Sequence, residues 1–135
     1  MNSMITVEPD PAGTIVAMER AALERWGRGD PDGFLEISAP EVSYFDPFIE
    51  RRLDGLPALR SWYEQIRGKI HIDRFEMIDP RVQFAGDVAV LTYRFYSQDS
   101  GGSMHWNTTE AYESTSAGWK IVHTHWAFHQ PKIAV

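Results

Sequence analysis

The chain contains no cysteine, which excludes a disulfide framework and any thiolate-bound metal, and leaves nothing that calls for an oxidising compartment. Clustered positive charge is also missing. The 13 Lys and Arg form no run longer than Arg51-Arg52 against a net charge of −6, so the electrostatic footprint that holds a phosphate backbone is absent and nucleic acid is not an expected partner. No segment approaches the roughly 20 apolar residues of a membrane helix, and residues 1–11 lack a basic stretch followed by an apolar one. No membrane association is therefore expected, and the expected location is cytoplasmic. A Gly-rich phosphate loop and a Ser-His-Asp nucleophile signature are both wanting, and nothing in the sequence requires a cofactor.

What is present is apolar and aromatic. A chain of 135 residues with five Trp can bury one real core and carry one pocket, with little room for a second module. Residues 1–12, with Pro9 and Pro11, show no hydrophobic period and read as a flexible arm. A single domain is expected over 13–129 and a tail over 130–135. Thr14 is placed to cap a first helix whose face is Ile15, Met18, Ala22, Leu23 and Trp26, ended by Gly27 and Gly29. Asp30-Pro31 opens a short second helix with Phe34, Leu35 and Ile37. After a strand at 42–45, Asp54-Gly55 and Pro57 lead into a third helix, where Leu59, Trp62, Tyr63 and Ile66 have helical spacing.

From Asp73 the period changes from 3.6 to 2, and four strands are predicted at 74–84, 88–97, 104–113 and 119–128, divided by Gly-rich turns. Helices followed by an antiparallel meander, without βαβ alternation, define an α+β domain. The strand around Leu91 is apolar on both sides, so both sheet faces need cover. The helices cover one. The other calls for a second copy of the chain, giving a homodimer through the outer sheet face with Leu91, Tyr93, His123 and His125, or for the tail 130–135. A last hairpin turning about Ser116 would set Trp106 opposite Trp126 and group Trp106, Thr108, Glu110, Thr124 and Trp126 on one face, with His105, Trp119, His123 and His125 on the other.

Several local patterns resemble the association domain of calcium/calmodulin-dependent protein kinase II and the SnoaL-like branch of the nuclear transport factor 2-like superfamily. They are Phe45-Asp46-Pro47, Asp54-Gly55-Leu56, Gly86-Asp87, Tyr93-Arg94 and, most closely, the closing strand from Gly118 to His125 with its His-x-His. The resemblance spans about Thr14 to Trp126. It implies a cone-shaped fold, N-terminal helices packed on a curved, mainly antiparallel sheet that encloses a pocket. In the kinase association domains three strand arginines face a ligand carboxylate. Only Arg94 matches here, with Glu110 and Trp126 in the other two positions.

These residues lead to a candidate site. Arg94, an arginine in an apolar strand, needs a partner, and Glu110 is the expected one, as a structural ion pair or as a ligand contact. Trp62, Trp106 and Trp126 are expected to line the same chamber. Asp46 with Tyr44 suits a general base and a hydrogen-bond donor, although Asp before Pro is also ordinary turn chemistry. The two imidazoles of His123 and His125, with His105 nearby, lack a secured third ligand, so no metal site is expected. The leading expectation is a pocket for a small molecule, partly apolar or aromatic with a polar group. An isomerase, cyclase or dehydratase using Asp46 and Tyr44 is the alternative, and a structural dimerisation domain a further one.

Overall fold

The computed structural model describes residues 10–129. The elements are α1 (Pro11–Gly27), α2 (Asp32–Glu36), β1 (Ser38–Phe45), β2 (Leu53–Asp54), α3 (Leu56–Ile66), β3 (Arg74–Ala85), β4 (Val88–Asp99), β5 (Gly102–Thr115) and β6 (Gly118–Phe128). Most of the arm expected at 1–12, and the tail at 130–135, lie outside the described residues. Where the two overlap, the expectation needs correcting. Asp10, not Thr14, caps α1: its carboxylate accepts from the amides of Ala12 at 3.2 Å and Gly13 at 3.3 Å. Pro11 takes the first helical position, where a missing N–H leaves no bond unmade. At α2 the expected Asp30 cap is not made: Pro31 itself is the N-cap and no side chain caps the helix, the Asp30 carboxylate accepting from the Asp32 amide at 3.0 Å in the turn ahead of it. Gly55, at φ 91°, makes the left-handed step from β2 into α3.

The sheet runs β2-β1-β6-β5-β4-β3 and is antiparallel except where β1 lies parallel to β6. Each meander hairpin closes through two residues, pairing Ala85 with Val88, Asp99 with Gly102 and Thr115 with Gly118. A two-residue loop makes facing residue numbers differ in parity. Across β4 and β5, Leu91 therefore faces Glu110, Tyr93 faces Thr108 and Phe95 faces Trp106, while Arg94 pairs with Asn107 on the opposite face. Between β5 and β6 a bulge at Val122 changes the count, so Glu110 faces Thr124 and Thr108 faces Trp126. The predicted grouping of Trp106, Thr108, Glu110, Thr124 and Trp126 on one face is observed, but Trp106 lies opposite Phe128 rather than Trp126. Below the bulge Trp119 turns inward to pack on the core beside Phe84, not outward as expected.

Parity also overturns the predicted faces of β4. Leu91 and Tyr93 are 0% and 4% exposed, buried in the core with α1 and α3, whereas Arg94 is exposed on the outside. Leu91 and Tyr93 therefore cannot belong to an outer interface, and Arg94 cannot partner Glu110 inside. Ile15 and Leu23 of α1, Leu59 and Tyr63 of α3, and Leu91, Tyr112 and Ile121 of the sheet make the fully buried centre. Among the described residues no helix is long and apolar enough to cross a membrane.

Candidate functional site

One end of the inner face is left open as a cavity of about 290 Å³. Its walls come from α1, α3, the segment 69–72, the end of β1 and the inner faces of β4, β5 and β6. Four of the five tryptophans line it, Trp26, Trp62, Trp106 and Trp126, together with Tyr44, Phe95 and the exposed Phe48. The rings hold one another edge to face: Trp126 sits 5.9 Å from Trp106 and 5.5 Å from Phe95, and Trp26 sits 5.0 Å from Tyr63. Such pairs contribute beyond their buried area and keep the walls in place without a ligand.

Asp46 is the polar feature of this chamber. Its Oδ2 accepts from the Tyr44 hydroxyl at 2.7 Å and from Trp62 Nε1 at 2.9 Å, while Oδ1 accepts from the Phe48 amide at 2.7 Å. The last bond is the turn chemistry expected of Asp before Pro; the other two tie the carboxylate to β1 and α3. A carboxylate has about four acceptor positions, so these three donors leave one. Burial, with the neighbouring Tyr63 and Asp46, pushes the Tyr44 phenol well above its ordinary range, and it stays a neutral donor.

Of the predicted site residues, Tyr44, Asp46, Trp62, Trp106 and Trp126 meet at the cavity, and Arg94 and Glu110 do not line it. Glu110 has a different neighbour, one the sequence reading missed. Glu19 of α1 is completely buried, as is Glu110, and it accepts from the hydroxyls of Tyr93 at 2.6 Å and Tyr112 at 2.5 Å. Burial raises both carboxyls, and the charge of Glu19 raises Glu110 further, well above the ordinary carboxylate range. Two phenol hydroxyls favour the charged form of Glu19, while the charge of Glu19 disfavours that of Glu110, so Glu110 is the member that keeps its proton. The signal for Glu19 was present. It stands at the fourth position after Ile15, on the apolar stripe of α1 that continues to Leu23 and Trp26, where a charged residue would be out of place without a role.

His105, His123 and His125 belong to the outer face. His123 Nδ1 and Ser43 Oγ are 2.7 Å apart, the His125 ring lies 6.2 Å from that of His123, and His105 packs on Tyr96 at 5.1 Å. Among the described residues no three His, Cys, Asp or Glu side chains converge to hold a metal. At the cavity rim the exposed Lys69, His71 and Asp99 are the other ionisable groups, with His71 Nε2 2.7 Å from Asp73 Oδ1.

N-terminal helices packed on a curved, mostly antiparallel sheet form the α+β cone of the nuclear transport factor 2-like superfamily, and comparison with known proteins bears this out. The SnoaL-like domain model matches residues 15–129, and the chain belongs to that family. A Parabacteroides distasonis structure, provisionally named a ketosteroid isomerase, is similar at 37% identity over 94% of each chain, with a TM-score of 0.84. A nuclear transport factor 2-like protein of unknown function from Pseudomonas putida shares 19% identity over 90% of this chain and 89% of its own, with a TM-score of 0.78. The S. rosetta CaMKII hub shares 22% identity over 91% of this chain and 100% of its own, with a TM-score of 0.72. The last two likenesses are of fold alone. No curated protein matches the chain significantly in sequence.

Proposed function

We propose that the chain is a small-molecule-binding module whose ligand lies in the tryptophan-lined cavity, with an apolar or aromatic body and one polar group on Asp46. The observation that carries this reading is the Asp46 carboxylate, held by Tyr44, Trp62 and the Phe48 amide with one acceptor position left, on the wall of an otherwise apolar chamber. Gentle ionisation of the natively purified protein, followed by mass spectrometry of what it releases, tests the reading. A bound aromatic compound with a hydroxyl or N–H supports it; if titration with aromatic alcohols and amines leaves the tryptophan fluorescence unchanged, the cavity is not a binding site.

A second reading is favoured by the same aspartate and by the name of the 37% identical Parabacteroides structure. As an isomerase, the protein would use Asp46 to take a proton from the carbon beside a ketone, leaving an enolate, and return it to the far carbon of the shifted double bond. Tyr44 cannot then serve the enolate oxygen as first expected, because its one proton is given to Asp46. Trp106 Nε1, a buried donor with no partner among the described residues, is the better candidate. A β,γ-unsaturated ketone should become conjugated and gain near-ultraviolet absorbance, and Asp46→Asn should slow this by at least about 100-fold. No turnover by the unmodified protein would remove the isomerase reading and leave the binding one.

For the outer face we propose a second copy of the chain. Phe45, His123 and His125 cluster there, ring to ring, at 5.4 to 6.2 Å. Burial, then the charge of His125, pushes His123 below its ordinary 6.5. A base depressed in this way gives up fold stability as pH falls from 6.5 through its lowered value, and the positive charge it gains would face the same charge on the second copy, so the dimer should weaken below about pH 6. Sedimentation velocity at micromolar protein, at pH 7.5 and 5.5, measures this; a monomer at both would leave the face without its partner.

A further inference from the structure

We infer that the polar group of the ligand is a cation, so that the cavity takes an aromatic or apolar amine in its protonated form. The inference rests on the reading of the cavity as a small-molecule site and adds to it the ligand's charge. The three donors on Asp46 are a phenol, an indole and a backbone amide, all neutral, and among the described residues Asp46 forms no ion pair. Its negative charge is therefore oriented but not compensated. In a partly desolvated chamber that charge is poorly screened and selects its opposite. The single free acceptor position suits one N–H of a substituted ammonium, the charge-assisted form of the bond.

The walls point the same way. Indole is the best of the aromatic side chains at attracting a cation to its π-system, and Trp26, Trp62, Trp106 and Trp126 all line this one cavity. At the rim Lys69 and Asp99 carry opposite formal charges and His71 is held by Asp73 at 2.7 Å, which leaves Asp46 in excess. An anion finds no arginine, because Arg94 stands on the other face of the sheet. The chain as a whole carries a net charge of −6, which draws cations toward it.

Fluorescence or calorimetric titration of the full chain at pH 7 with three soluble probes tests the inference. These are N,N-dimethylbenzylamine, which is cationic with one N–H, benzyl alcohol, which is neutral with one donor, and phenylacetate. The amine should bind at least about tenfold more tightly than the alcohol, with phenylacetate weakest. Asp46→Asn, its fold checked by circular dichroism, should bring the amine to within about twofold of the alcohol. Equal binding of amine and alcohol, or tightest binding of phenylacetate, would overturn the cation and leave the small-molecule reading standing. If none of the three binds at millimolar concentration, both fall. Should Asp46→Asn fail to fold, the three probes on the unmodified protein still decide the matter.

Discussion

Replacing Glu110 with Gln is expected to raise stability at pH 8 relative to pH 5 and to flatten its decline as pH rises. Both members of the Glu19–Glu110 pair are raised above the ordinary 4.5, chiefly by burial. An acid raised in the folded state leaves stability whole below its unfolded value and gives it up as pH climbs toward the folded one. The loss is about 1.4 kcal/mol per pH unit for each proton the fold retains. The window therefore opens near 4.5 and runs upward toward the raised folded-state value. Gln keeps the shape of Glu110 and never has to hold a proton, so one retained proton disappears from the balance. Urea melts of both proteins at pH 5 and pH 8 give the answer. Parallel pH dependence in the two would mean that Glu110 is ionised in the fold and that the pair has been misassigned. Asp30 and Glu64, lowered by Arg25 and Arg67, act in the opposite sense, being lost as pH falls, but they lie at the surface where solvent screens them.

Leu91→Ala should destabilise the fold by about 2–5 kcal/mol, whereas Arg94→Ala, three residues along the same strand, should change stability by less than about 0.5 kcal/mol. Leu91 is 0% exposed in the core, so truncation removes its burial and leaves a cavity. Arg94 is exposed and makes no ion pair among the described residues. The pattern of residue types in β4 alone suggests the reverse, an arginine locked to Glu110 and a leucine at an interface. Denaturant midpoints of the two variants separate the alternatives cleanly. A large loss from Arg94→Ala with a small one from Leu91→Ala would mean that β4 is turned over.

What was legible, and what was not, divides along a physical line. Helices and strands were readable because their signals are local: the stripe of Leu59, Trp62, Tyr63 and Ile66, the two-residue alternation after Asp73, and the turns Gly86-Asp87 and Ser100-Gly101. Tyr44, Asp46 and Trp62 could be brought to one chamber because the strand end and the helix that carry them are each well marked. The pairing of Arg94 with Glu110 failed for a reason that counting could have caught. The loop Ser100-Gly101 has two residues, and so sets odd positions of β4 against even positions of β5. The bulge at Val122 was not readable, since neither glycine nor proline marks it, and it alone decides that Trp119 and Trp126 share a face despite their unlike parity. Glu19 was missed because a glutamate on a helix passes as a surface residue until its neighbours on the stripe are counted.

The parallel seam between β1 and β6 carries a further consequence, for the order in which the molecule assembles. The hairpins of the meander join near neighbours, whereas Ser43 and His123 at the seam are 80 residues apart in the chain. Closing so long a loop is entropically the slower event, and the local hairpins can form before it. Asp46 follows directly on β1 and Trp126 stands on β6, so the chamber has no two-sided wall until the seam is made. The chamber is thus built across a long-range contact, and a folding intermediate that lacks that contact lacks the chamber as well.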